Sequence, residues 1–75
     1  LPPINLRDLI GFRILMINGK KIGNVMSVKN FGASDLLETK INNKTFYIPM
    51  NKDNLVSVDM DKKKIIVNLL KGIID

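Results

Sequence analysis

The chain has 75 residues, a formal net charge of +5 and neither cysteine nor histidine. Its length limits it to one small domain with a thin hydrophobic core. The missing Cys and His exclude disulfide bonds, thiolate nucleophiles, imidazole bases and almost every transition-metal site. No apolar run reaches the ~18 residues that a membrane-spanning helix needs, and no signal-peptide pattern opens the sequence.

The 12 basic residues outnumber the 7 acidic ones. A basic surface attracts polyanions, so RNA or an RNA-rich particle is a candidate partner. A lysine-rich surface that only keeps the protein in solution explains the same composition. Stacking platforms for single-stranded RNA are scarce, because only Phe31 and Tyr47 are candidates for exposed aromatic rings. The lysines that could form a basic band are Lys20, Lys21, Lys29, Lys40, Lys44, Lys62, Lys63 and Lys64.

The first residues are predicted to form an extended linker that arrives from an upstream domain. Pro2 and Pro3 fix their own φ angles and restrict the residues before them, so residues 1–5 cannot be helical. Residues 6–10 are expected to form a short helical turn that Gly11 ends. We therefore place the linker at residues 1–7 and the folded domain at residues 8–75.

A first strand is predicted over residues 12–17, which are apolar on both faces except at Arg13. Asn18-Gly19 follows, and this pair favours a tight hairpin because both turn positions accept a positive φ angle. The return strand is predicted over residues 21–30. Its apolar side chains recur at every third position instead of every second, so we infer a β-bulge or coil near Gly23-Asn24.

The remainder of the chain alternates between short strands and polar turns. Gly32 lies in a turn that needs a positive φ angle, and Asp35 is expected to cap this turn by accepting backbone N–H groups. Asn42-Asn43 tolerates the left-handed conformation of a tight turn, and Pro49 ends a strand because it has no N–H to donate. The predicted strands are residues 36–41, 45–48, 55–60 and 64–69, and residues 70–75 are predicted to plug an open end.

Six short strands with almost no helix predict an all-β fold, a small six-stranded antiparallel β-barrel with an extended N-terminal linker and a short C-terminal plug. Closure is favoured because an open sheet of this size would leave unpaired edges. Phe12 is also expected in the core, whereas Tyr47 is expected to point outward. The predicted core residues are Ile14, Met16, Val25, Val28, Leu37, Phe46, Ile48, Val56, Val58, Ile65 and Val67.

The sequence offers little catalytic chemistry. Asp59 and Asp61 could share a Ca²⁺ ion, but no EF-hand spacing surrounds them, and a hairpin turn that favours Asp explains them better. Gly19 and Gly23 flank two lysines within a hairpin, whereas a phosphate-binding loop opens a helix. We therefore predict no catalytic activity, no cofactor and no metal site.

Several short motifs resemble one family in their order and spacing. Asp-Leu-Ile-Gly at residues 8–11 and Ile-Gly-Asn-Val at residues 22–25 are similar to the opening of the PRC-barrel family. Residues 31–38 resemble the turn and third strand of one branch, the C-terminal domain of the ribosome maturation factor RimM. Ile-Pro-Met at residues 48–50 and Gly-Ile-Ile-Asp at residues 72–75 resemble later segments of that domain. The chain departs from the family before Leu6, where the usual adjacent aromatic residues are absent.

The resemblance implies a non-catalytic, chaperone-like module of a two-domain factor that acts in ribosome biogenesis. Members of this family bind immature small ribosomal subunits in the cytoplasm and assist 16S rRNA processing. The barrel is associated with a ribosomal protein of the subunit head, the one conventionally numbered nineteen. We accordingly expect a cytoplasmic monomer with no membrane contact, whose partner is a small-subunit protein within the pre-small-subunit particle.

Docking is expected to depend on local complementarity, because the chain and most small-subunit proteins are both basic. Apolar anchors and acidic groups would supply that complementarity, and lysines would face the surrounding rRNA. The predicted partner-binding residues are Leu6, Asp8, Phe31, Glu38 and Tyr47, the predicted rRNA-facing residues are Lys62, Lys63 and Lys64, and the predicted structural turn residues are Gly23, Gly32 and Asp35.

Three other functions stay open at this point. A small RNA-binding β-barrel that contacts rRNA directly would show a steep loss of affinity with salt. A PRC-barrel with another role, such as part of a photosynthetic membrane-associated subunit, would share the same fold. An enzyme is the least supported alternative, because the sequence contains no nucleophile–base pair.

Overall fold

A computed structural model describes residues 5–30, 32 and 35–68 of the chain. Within these residues the fold is all-β, as expected, apart from a 3-10 helix at Leu6–Leu9. The predicted plug at residues 70–75 lies outside the described residues, and so does Phe31. The strands in chain order are β1 (Arg13–Met16), β2 (Lys21–Asn24), β3 (Ser27–Asn30), β4 (Asp35–Ile41), β5 (Lys44–Pro49), β6 (Leu55–Asp59) and β7 (Lys64–Val67).

These strands form two sheets. One has four strands in the order β2-β1-β7-β6, and the other has three in the order β3-β4-β5. Neighbouring strands are antiparallel except β1 and β7, which run parallel, with Arg13 paired to Lys64 and Met16 to Val67. This pair differs from the antiparallel arrangement expected from sequence. It can be parallel because no hairpin joins the two strands and the rest of the chain connects them.

The chain passes from the first sheet to the second at Val25 and Met26. The Val25 N–H donates to the Phe12 carbonyl at 2.9 Å, whereas the next N–H, that of Met26, donates to the Glu38 carbonyl at 2.8 Å. The single strand predicted over residues 21–30 is therefore two strands, β2 and β3, in different sheets. This crossing raises the strand number from the six expected to seven.

The predicted irregularity near Gly23 is a register shift in the β1–β2 pair. Ile14 pairs with Gly23, but the next residue, Leu15, pairs with Lys21, so Ile22 is the extra residue of a bulge. The spacing of three between the apolar side chains at positions 22, 25 and 28 thus has two causes. One is the bulge, and the other is the change of sheet.

The core lies between the two sheets and closely follows the predicted one. Met16, Val28 and Val58 are half-buried and pack against it, and Phe46 is also half-buried. Leu9 of the 3-10 helix is fully buried, although the alternation of the strands could not indicate it. The buried hydrophobic residues are Leu9, Phe12, Ile14, Val25, Leu37, Ile48, Ile65 and Val67.

Val56 was predicted in the core and is instead 54% exposed. The reason is a second register shift, in the β6–β7 pair. Leu55 pairs with Val67 and Ser57 pairs with Ile66, so Val56 has no partner and is the bulged residue. The bulge moves Val56 out of the inward alternation and leaves Leu55 and Val58 to pack against the core.

Gly23 lies in strand β2 and not in the turn that the sequence suggested. A Cβ atom at this position would lie 2.7 Å from Thr39 Oγ1 and 3.1 Å from the Lys40 carbonyl oxygen. Both atoms belong to β4 in the other sheet, so the missing side chain lets β2 and β4 approach closely. Thr39 is itself buried, and its Oγ1 has no hydrogen-bond partner among the described residues.

The tight turns follow the sequence closely. Asn42 and Asn43 have φ angles of 52° and 66°, and they connect β4 to β5 as expected. Gly32 has the predicted positive φ, at 97°. Its N–H donates to Asn30 Oδ1 at 3.0 Å, and the Asn30 amide donates to Asp35 Oδ1 at 2.8 Å. Among the described residues, Asp35 thus supports this turn through Asn30.

We predict that Gly23→Ala destabilises the fold by about 1–3 kcal/mol, because the new methyl group overpacks against β4. Thr39→Ala removes Oγ1, the atom nearest to the new methyl group. The double variant should therefore lose less unfolding free energy than the sum of the two single losses, with a coupling of roughly 1 kcal/mol. Urea unfolding of the four variants of the cycle measures this coupling.

Gly32→Ala provides the matched control for this cycle. A Cβ at Gly32 meets no atom of the described residues within 4 Å, so the cost of about 1–2 kcal/mol is expected from the positive φ alone. The losses of unfolding free energy caused by Gly32→Ala and by Thr39→Ala should therefore be additive, without coupling. Equal coupling for the two glycines would contradict the close approach of β2 and β4.

Candidate functional site

The outward side of the three-stranded sheet carries a compact group of apolar and acidic side chains. Leu37 and Ile48 are buried, and because successive side chains of a strand alternate, their neighbours Leu36, Glu38, Tyr47 and Pro49 point outward. We call these four residues the docking face. Glu38 lies directly opposite Tyr47, and Leu36 lies directly opposite Pro49.

The docking face combines groups that suit a protein partner. Tyr47 is 41% exposed, and Leu36, Glu38 and Pro49 are half-buried. A tyrosine presents a rigid apolar ring with a polar end, which suits an anchor at a protein interface. The neighbouring Glu38 carboxylate can attract a basic group of a partner. The sequence indicated Glu38 and Tyr47, and the register of the hairpin adds Leu36 and Pro49.

The structure places two other predicted partner-binding residues, Leu6 and Asp8, on the 3-10 helix, and Phe31 lies outside the described residues. Leu6 is half-buried and packs against the core, and Asp8 is exposed on the same 3-10 helix. Asn5 Oδ1 accepts the Arg7 N–H at 3.0 Å at the start of this helix. A shallow cavity of about 480 Å³ lies between this helix and the β3–β4 turn. The residues that line the cavity are Asn5, Leu6, Arg7, Val28, Lys29, Asn30 and Asp35.

The lysines predicted to face rRNA lie at the β6–β7 turn, at the same end as Arg13. Lys62 and Lys63 are exposed, whereas Lys64 is half-buried in β7. The Arg13 guanidinium donates to the Lys62 carbonyl at 3.1 Å, and the Arg13 N–H donates to the Lys63 carbonyl at 3.0 Å. The lysine turn, residues 59–64, is therefore fixed to β1 by two hydrogen bonds.

Asp59 also stabilises this turn. Its carboxylate accepts the Lys62 N–H at 2.9 Å. That hydrogen bond is the main reason that the Asp59 pKa lies below its ordinary value, and the nearby positive charges of Lys62 and Lys64 lower it further. The residue thus works as a turn cap, as the sequence suggested.

A second concave surface lies between two hairpin tips, one from each sheet. Its floor consists of the half-buried side chains of Met16, Ile22 and Ile41, and its volume is about 620 Å³. Asn18, Lys20, Lys21 and Asn42 complete its lining, and all four are exposed. We call this surface the hairpin groove. The sequence named its lysines as part of a basic band but could not show that the two hairpins lie together.

The described residues lack two kinds of functional feature. No group of three or more His, Cys, Asp or Glu side chains is arranged there to hold a metal ion. No helix in the same residues is long and apolar enough to cross a bilayer.

Comparison with known proteins gives a consistent result. A family model described as the RimM PRC barrel domain matches residues 6–73. The ribosome maturation factor RimM of Clostridioides difficile is 34% identical over 71 residues, which cover 93% of this chain and 42% of that protein. RimM of a Chelativorans species is 36% identical over 69 residues, which cover 91% of this chain and 32% of that protein.

A similarity of structure supports the fold. A crystal structure described as that of a 16S ribosomal RNA processing protein RimM from Pseudomonas aeruginosa superposes with a TM-score of 0.82. The sequence identity is 18%, and the match covers 92% of this chain and 45% of that chain. The chain therefore spans less than half the length of these relatives.

The lowered pKa of Asp59 predicts a pH-dependent contribution to stability. The ionised carboxylate is favoured in the folded state, so its contribution is fully present above the ordinary pKa of 3.8 and is lost as the pH falls through the lowered value. Asp59→Asn should therefore unfold at lower urea than wild type near pH 6 and approach the wild-type midpoint near pH 2. Asp61→Asn is the control, and an equal pH-dependent difference for it would contradict the assignment to Asp59.

Proposed function

Because the chain belongs to the RimM PRC barrel family, we propose that it is a non-catalytic ribosome-maturation module that binds the immature small subunit through one of its head proteins. The named relatives are ribosome maturation factors, and one related structure is described as a 16S rRNA processing protein. We also propose that the protein acts in the cytoplasm as a monomer. The partner would be the head protein that the sequence resemblance indicated.

The docking face is the observation that supports this proposal most directly. Tyr47 and Glu38 were named from sequence as partner-binding residues, and the fold sets them opposite each other on an outward face. Leu36 and Pro49 extend this row with apolar surface. Aromatic anchors surrounded by apolar and polar contacts dominate the energy of many protein interfaces.

Charge explains why such a local face is needed. The chain has a net charge of +5, so a basic ribosomal protein is repelled overall. Affinity must then come from apolar burial at Tyr47 and from the Glu38 carboxylate. Lys29 and Lys40 point to the same side of the sheet, which restricts the attractive region to Glu38.

Direct rRNA contact is a second candidate function, and the lysine turn favours it. Lys62 and Lys63 are exposed on a turn that Arg13 and Asp59 hold in place. A fixed basic turn can approach phosphates of an adjacent RNA without a large ordering cost. In this arrangement the lysines add salt-sensitive affinity on the particle, while the docking face binds the protein.

We predict that Tyr47→Ala weakens binding to the isolated head protein by about tenfold or more, because an interface anchor is lost. Tyr47→Phe retains the ring and should bind within about threefold of wild type. Val56→Ala is the matched control, since it removes an exposed apolar side chain from the other sheet. Isothermal titration calorimetry with the purified head protein measures all three, and equal losses for Tyr47→Ala and Val56→Ala would reject the docking face.

The lysine turn has a separate expected outcome. Changing Lys62, Lys63 and Lys64 to Ala should weaken binding to immature small subunits at low salt and leave binding to the isolated head protein nearly unchanged. Co-sedimentation with the particles and calorimetry with the protein distinguish the two effects. Loss of binding to the isolated protein would replace the docking-face proposal with electrostatic docking through these lysines.

A further inference from the structure

The charges of the chain are unevenly distributed along its sequence. Residues 9–34 and 39–52 contain no Asp or Glu. The fold brings one hairpin tip from each of these stretches to the same end of the molecule, where they enclose the hairpin groove. Lys20 and Lys21 line the groove, and Lys44 lies opposite Ile41 in the second hairpin. Three lysines are therefore gathered at two hairpin tips that hold no carboxylate.

The lysine turn differs from the hairpin groove because it contains carboxylates. Lys62, Lys63 and Lys64 share their turn with Asp59 and Asp61. Asp59 lies within hydrogen-bonding distance of the turn backbone, so its negative charge stays close to the lysines. Positive potential is greatest where like charges are concentrated without opposite charges between them. A polyanion should accordingly be attracted more strongly to the hairpin groove than to the lysine turn.

From this geometry we infer that the hairpin groove binds the sugar–phosphate backbone of single-stranded or looped RNA. Ammonium groups bind phosphates as compact point charges, and lysines lie in both hairpins to meet a strand between them. The identity of the RNA, which would be the rRNA of the immature small subunit, rests on the proposed function. The chemistry of the groove does not depend on it.

The backbone of both hairpins is fixed by local bonds, so the lysines start from defined positions. The Lys20 N–H donates to Asn18 Oδ1 at 2.9 Å, and the Met16 N–H donates to the Lys20 carbonyl at 2.8 Å. The second hairpin has a two-residue turn at Asn42 and Asn43 in the left-handed conformation. Fixed walls suit a ligand whose charge repeats at every unit, and the backbone of RNA has this property.

The floor of the groove determines how selective this binding is. Met16, Ile22 and Ile41 are aliphatic, and no aromatic ring is among the described lining residues. Stacking of bases on aromatic platforms therefore contributes nothing there. Binding is expected to depend on phosphate contacts, to be strongly salt-dependent and to vary little with base sequence.

The test compares two charge-matched variants of the chain. The groove variant changes Lys20, Lys21 and Lys44 to Gln, and the control variant changes Lys29, Lys40 and Lys52 to Gln. All six lysines are exposed, so both variants should retain the wild-type thermal midpoint. The probe is a fluorescein-labelled oligouridylate of about 12 nucleotides, within the length that one small barrel covers. Fluorescence anisotropy is measured over a series of KCl concentrations.

The groove variant should lose at least about tenfold in affinity at low salt, and its slope of log K against log [KCl] should fall by roughly 2, or about 0.7 for each phosphate contact removed. The control variant should stay within about threefold of wild type. In a two-dimensional NMR titration of wild type, the methyl signals of Ile22 and Ile41 should shift with RNA, while that of Val56 should not.

Several results would overturn the inference. Equal losses for the two variants would show a general effect of net charge, and unchanged binding by the groove variant would show that RNA lies elsewhere. Equally tight binding of a polyglutamate of the same charge would assign the groove to acidic protein segments. The head protein serves as an independent readout, because the groove variant should bind it as wild type does. Loss of RNA binding therefore tests the groove, whereas loss of head-protein binding by Tyr47→Ala tests the proposed function.

Discussion

The close approach of β2 to β4 at Gly23 is the constraint on which the arrangement of the two sheets depends. The absent side chain leaves room for Thr39 and the Lys40 carbonyl, and two residues later the chain crosses from one sheet to the other. Hydrogen bonds on either side of the crossing attach it to Phe12 and to Glu38. Because the sheets are joined and packed at the same place, the hairpins beyond it have little freedom to separate.

This arrangement distributes the surface groups over separate regions. The docking face is the outward side of β4 and β5, whereas the hairpin groove lies at the end where the β1–β2 and β4–β5 hairpins meet. Both regions use β4: Glu38 belongs to one, and Ile41 belongs to the other. A protein and an RNA strand could therefore be held by one short strand without competing for the same side chains. Such spacing supports the proposal that one module binds a ribosomal protein and rRNA together.

Features that depend on single residues could be predicted from the sequence, whereas features that depend on strand register or tertiary packing could not. The turn at Asn42 and Asn43 and the positive φ of Gly32 follow from single residues and were predicted correctly. The exposure of Val56 was not predicted, because its bulge depends on the register of β6 with β7, which no local sequence pattern reveals. Residue types suggested Glu38 and Tyr47, but their separation from Leu6 and Asp8 depends on tertiary packing. The groove could not be predicted either, since its walls are far apart in sequence. Its signals in the sequence were the lysines of the basic band and the long stretches without acidic residues.

The parallel pairing of β1 with β7 has a consequence for how this protein is made. Its central pair of strands joins the beginning of the described chain to its end, and the Arg13 side chain bonds to a carbonyl 49 residues away. Contacts of such long range form only after a large loop has closed, which slows folding. During synthesis, β1 and β2 are made well before β7, so the four-stranded sheet cannot be completed until β7 has also left the ribosome. Folding of the core is thus delayed until nearly all of this segment has been translated, and the hairpins that emerge first must stay soluble without it.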